Sequence, residues 1–152
     1  MELRNSFSII AFWTFLSFDL TSSQNDCPCE LKRDFVTCQQ QTIGSMPLDF
    51  ERKCPDLMKE SSSIRGFDLQ RQTMREVLPH AFDEFKNLVA ISLSFNQIQE
   101  VHYRAFDGLN SLTSLSLSHN NISKVLNGMF DELISLHHLD LSHNPIENFT
   151  TK

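Results

Sequence analysis

The chain has 152 residues, of which 40% are hydrophobic and 21% charged, and its formal net charge is −6. That length suits one domain around one continuous core. The mild acidity argues against nucleic acid or an anionic membrane as the partner.

Residues 1–23 read as a signal peptide. A short polar start carrying Arg4 precedes the apolar run Ile9–Phe18, and Thr21 and Ser23 are small residues suited to a cut before Gln24. The run is too short for a membrane span, which needs about 20 apolar residues, and no later stretch is apolar enough to insert. Loss of residues 1–23 removes Arg4, Glu2 and Asp19 and takes the net charge from −6 to −5. The expected mature chain is secreted and extracellular.

Residues 24–63 form a cysteine-rich cap and connector. Cys27, Cys29, Cys38 and Cys54 all fall here. An even, clustered set in an exported chain reads as two disulfides. Bonding Cys27 to Cys29 would be strained, so two pairings remain open. A zinc site is disfavoured, because no histidine lies near the C-x-C. From Leu48 to Ser63 charges alternate in sign, and Leu48–Arg52 has room for one helical turn.

Residues 64–152 repeat every 24 positions, giving four turns of which the last is incomplete. Ile64, Leu88, Leu112 and Leu136 open them. Then come the columns Phe67, Ile91, Leu115, Leu139 and Leu69, Leu93, Leu117, Leu141. Gln72, Asn96, Asn120 and Asn144 follow, then Met74, Ile98, Ile122 and Ile146. Phe82, Phe106 and Phe130 recur near the close of each complete turn. A period of this length predicts a solenoid. The alternation L-x-L predicts one short strand per turn, its leucines inward and the residues between them outward. Strands laid side by side then form a parallel sheet.

The register L-x-x-L-x-L-x-x-N-x-I resembles that of extracellular leucine-rich repeat proteins. The resemblance implies an α/β solenoid with short parallel strands on its concave face. Loops or short helical turns are implied on the convex face, and a disulfide-bonded cap in front. It also implies that Asn96, Asn120 and Asn144 bond the backbone of their own and the neighbouring turn as a ladder. Gln72 interrupts that column, and its extra methylene predicts a looser first turn. The phenylalanine column is expected to stack as a spine. By the same resemblance the disulfides interleave as Cys27–Cys38 and Cys29–Cys54.

Candidate function falls on the concave columns. They are rich in serine, and Phe95 is expected to be their one large apolar side chain. Phe95, His119 and His143 should stand side by side as a contact row for a protein or glycan partner. His138 and Asp140 lie nearby on the last strand. His137 and His138 point to opposite sides, so three histidines do not converge as a metal set. No G-x-S-x-G elbow or phosphate loop is present, and an enzyme is not expected. No cofactor is implied. Asn121-Ile-Ser and Asn148-Phe-Thr are acceptor motifs for N-linked glycans. Without a closing cap, Leu139, Leu141, Ile146 and Phe149 would line an open edge suited to a dimer or assembly contact. The expectation is a secreted recognition module. The alternatives are a non-catalytic subunit of another secreted protein, or the front of a receptor ectodomain.

Overall fold

The computed structural model describes residues 27–150, with side chains to residue 147. The proposed signal segment, its cut before Gln24, and the side chains of Asn148 and Phe149 lie outside the described residues. Among the described residues, no helix is long and apolar enough to cross a membrane.

The chain is a solenoid of stacked turns. Its concave face is one six-stranded sheet in the order β1 (Cys29–Lys32), β2 (Phe35–Cys38), β3 (Gly66–Asp68), β5 (Ala90–Ser92), β7 (Ser114–Ser116) and β9 (His138–Asp140). β1 and β2 are an antiparallel hairpin, and every later pairing is parallel. The register sets Gly66 beside Ala90, Ala90 beside Ser114 and Ser114 beside His138. Those are steps of one repeat, so the period seen in the chain is the strand register in space.

Two further small parallel sheets run on the opposite side. One pairs β4 (Glu76–Val77) with β6 (Glu100–Val101), the other β8 (Lys124–Leu126) with β10 (Asn148–Thr150). One strand per turn was expected, and each turn has two. The second is only two or three residues long, too short to announce itself by alternation. Its valines are buried and the charged residues beside them exposed. The remaining convex backbone is tight turns, without helices.

The leucine and isoleucine columns fill the interior, with Ile64, Leu88, Leu112, Leu69, Leu93 and Leu117 fully buried. Phe82 stacks on Phe106 at 5.8 Å and Phe106 on Phe130 at 6.2 Å between ring centroids. Each such pair adds about 0.5–1.5 kcal/mol beyond the area it buries.

The cap closes the front of the stack in two ways. Its strand β2 pairs with β3 and covers the edge that the first repeat would otherwise expose. Helix α1 (Leu48–Lys53) inserts Phe50, fully buried, edge-on against Phe67 at 5.2 Å and Phe85 at 5.9 Å. A second short helix, α2 (Pro55–Lys59), returns the chain to the repeats.

The disulfides are nested, where the resemblance implied that they interleave. Cys29 bonds Cys38, and Cys27 bonds Cys54. The hairpin dictates this: Cys29 and Cys38 face each other directly across β1 and β2. Cys27 precedes β1 and is left to reach Cys54 at the junction of α1 and α2. The sulfurs of Cys27, Cys29 and Cys54 lie within 4.8 Å of one another, but all are spent in these bonds.

The amide column ties each turn to the one before. Asn120 Nδ2 donates to the carbonyls of Leu93 at 3.0 Å and Leu117 at 2.9 Å, and its Oδ1 accepts from Ile98 N–H at 3.0 Å. Asn96 and Asn144 repeat the pattern one turn earlier and one turn later. Gln72 departs from expectation. Its turn is not loose, because the extra methylene carries the amide further, into the cap. There Oε1 accepts from the N–H groups of Thr42 and Ile43, each at 3.0 Å, and Nε2 donates to the Gln39 carbonyl at 2.9 Å. Gln72 is buried and fully bonded.

Candidate concave recognition face

Four residues at the same place in successive turns define one rim of the concave face. Arg71, Phe95, His119 and His143 all have left-handed backbone, with φ of 55°, 57°, 54° and 56°. The geometry is imposed by the stack. The N–H of Arg71 donates to the Ser94 carbonyl, that of Phe95 to Ser118 and that of His119 to Ser142, at 3.0–3.1 Å. Each of these three bends is thus held by a carbonyl of the following turn, even where the residue is a bulky phenylalanine that disfavours it, and His143 shares the bend.

The locked bend stacks the side chains. Phe95 and His119 are parallel at 4.3 Å between centroids, and His119 and His143 at 4.0 Å, both with interplanar angles of 9°. The Arg71 guanidinium lies 5.4 Å from the Phe95 centroid and covers its other face. Phe95 remains 44% exposed. Since its faces are taken by Arg71 and His119, what solvent meets is mainly ring edge. Aromatic edges carry positive charge density and imidazole edges carry N–H. The rim therefore presents positive ring edges beside imidazole nitrogens that can donate and accept, and suits polar ligands over a flat ring stacked face to face.

The floor beside this rim is a hydroxyl network. Ser94 Oγ lies 2.7 Å from Ser116 Oγ, and Ser118 Oγ lies 3.2 Å from both. Ser94 and Ser118 are buried, so their hydroxyls are spent within this network and on Asp140 and not offered to a ligand. At the far end Asp140 accepts from Ser142 N–H at 3.0 Å. Hydrogen bonds from the Ser142 side chain and backbone hold its carboxyl below its ordinary pKa, helped by the Ser118 hydroxyl and the charge of His138.

The five candidate contact residues therefore divide. Phe95, His119 and His143 come together with Arg71, whose place in the row was visible but whose contact over the Phe95 ring was not. His138 is exposed at the start of β9 and acts on Asp140, several positions before His143 along the chain. Asn121 is exposed. Phe95 is not alone on this face. Phe35 of β2 is 43% exposed and sits opposite Gly66. A Cβ built on Gly66 would fall 2.1 Å from the Phe35 ring, so glycine there makes room for it. Both signals were present in the chain: a glycine in a column of larger residues, and the alternation Phe35-Val36-Thr37.

At the other end of the sheet β9 has one neighbour only among the described residues. Ile134 is 77% exposed, Leu139 is also exposed, and Leu141 and Ile146 are half-buried.

The family model described as leucine rich repeat matches residues 86–146. No curated protein matches the chain. Among solved structures, a chain of the crystal structure of a TLR13-ssRNA13 complex superposes with a TM-score of 0.66 at 28% identity. The match covers 77% of this chain and 16% of that one, so this chain spans about a sixth of the length of the structure it resembles. With the repeat register, the parallel concave sheet and the bonded cysteines all in place, the chain is a leucine-rich repeat protein with a disulfide-bonded N-terminal cap.

Proposed function

We propose that this protein is a secreted, non-catalytic recognition module that holds a protein or glycan partner against the concave rim of Arg71, Phe95, His119 and His143. The observation that carries the reading is the stacked row itself. Three rings and a guanidinium are held in register by backbone bonds from turn to turn. A pre-ordered contact surface loses little entropy on binding. Two disulfides fit an oxidising compartment, in line with the apolar leader at residues 1–23.

The similar structure is a complex with single-stranded RNA by its description. Nucleic acid is disfavoured for this chain, because its formal charge is −6 and one arginine is a small cationic footprint for a phosphate backbone. The decisive experiment displays the purified chain against panels of extracellular proteins, glycans and single-stranded RNA. Binding to a protein or glycan that is lost on joint alanine substitution of Phe95, His119 and His143 supports the reading. Binding that survives the substitution, or binding to RNA alone, overturns it.

A second reading has its own observation. Ile134, 77% exposed on the turn before β9, suits an assembly contact. Light scattering against concentration tests it: Ile134→Lys should abolish any dimer, and a monomer at all concentrations removes the reading.

A further inference from the structure

Where the cap hairpin meets the first repeat, the concave face dips into a recess of about 290 Å³, lined by Thr37, Cys38, Gln40, Asp68, Gln70 and Arg71. We infer that this recess captures the free C-terminal carboxylate of a peptide partner. The inference goes beyond the rim contact, since it concerns a cavity that shares only Arg71 with the rim and a stated ligand group.

Arg71 is the reason for a carboxylate. Its guanidinium offers five donors in a planar fork. The guanidinium lies over the Phe95 ring, and among the described residues no acceptor bonds it. Arg71 lines the recess while that ring contact steadies its guanidinium, so little freedom is lost when a carboxylate docks on it in the two-bond arrangement.

The rest of the lining is the reason for a peptide. Gln40 and Gln70 each carry one amide acceptor and one amide donor pair, which match the N–H and carbonyl of a terminal peptide unit. Asp68 accepts from Gln70 N–H at 3.3 Å through Oδ1 and leaves Oδ2 for a ligand N–H. A carboxylate-bearing sugar would want an aromatic face for its apolar side. No free aromatic face lines the recess: Phe95 lies between Arg71 and His119, and Phe35 is not part of the lining.

The test uses the full chain and follows its amide resonances by NMR during titration. The probes are N-acetyl-trialanine with a free carboxylate, the same peptide as its C-terminal amide, and sialyllactose. The free acid should shift resonances of residues 37–40 and 68–71, and the amide should bind about tenfold more weakly or less. Arg71→Gln should weaken the free acid by about tenfold, and Arg71→Lys by less. Equal affinity for acid and amide overturns the inference, as does an affinity unchanged in Arg71→Gln. Sialyllactose binding there in preference to the peptide overturns it in favour of a glycan. Substituting His119 and His143 leaves this recess intact, so a failed rim and a failed recess are told apart.

Discussion

Replacing Phe95 tests whether the rim is a strained but compensated device. Phenylalanine in left-handed backbone, at φ 57°, costs about 1–2 kcal/mol. Against that stand its stack on His119, worth about 0.5–1.5 kcal/mol, and the Arg71 contact, worth about 0.5–1 kcal/mol at an exposed site. The terms nearly cancel. Asparagine tolerates left-handed backbone, so Phe95→Asn sheds the strain together with the stacking. Its stability should stay within about 1 kcal/mol of the parent, a few degrees in Tm at most. Alanine keeps most of the strain and loses the stacking, so Phe95→Ala should fall below Phe95→Asn by about 1 kcal/mol. Urea unfolding followed by circular dichroism measures both. If Phe95→Ala equals or exceeds Phe95→Asn in stability, the backbone carries no strain and the reasoning fails. A loss well beyond 2 kcal/mol in Phe95→Asn would mean that Phe95 is a core residue.

Three further outcomes follow from the bonding. Asn120→Ala strands the Ile98 N–H and the Leu93 and Leu117 carbonyls in a buried turn; it should cost about 3–5 kcal/mol in chemical denaturation, and a loss under 1 kcal/mol would deny the ladder its role. Gln72→Asn should no longer reach the cap and should cost about 2–4 kcal/mol; hydrogen exchange should speed up at Thr42 and Ile43, and unchanged protection there would refute the link. The folded-state pKa of Asp140 is depressed, so its stabilising contribution is present above the ordinary carboxylate range and disappears as pH falls through the depressed value. The stability gap between the parent and Asp140→Asn should therefore shrink as pH drops from about 5 to about 2, and a gap independent of pH would contradict that sign.

The fold was legible because the chain states it several times over. One leucine column predicts little, but six columns in the same register leave no other way to bury them. The inward and outward faces, the ladder positions and the phenylalanine spine come directly from that register. The cap was less legible because nothing in it repeats. Cys29 and Cys38 pair because β1 and β2 form a hairpin, and the charged residues of that hairpin hide its alternation. Gln72 looked like a defect because its partners lie about 30 residues away in the cap, where spacing along the chain says nothing. The row of Phe95, His119 and His143 could be placed, but not its stacking. That depends on a left-handed bend fixed by carbonyls of the next turn. Phe35 was missed because a cap strand shares the concave face with the repeats.

The central claim, that a partner sits on the rim running from Arg71 to His143, is tested most directly by hydroxyl-radical footprinting of the chain with and without a ligand found in the panels. Protection of Phe95, His119 and His143, with unchanged reactivity at Tyr103, which is exposed on the turn after β6, is the predicted result. Protection of Tyr103 with the three rim residues still reactive would contradict it.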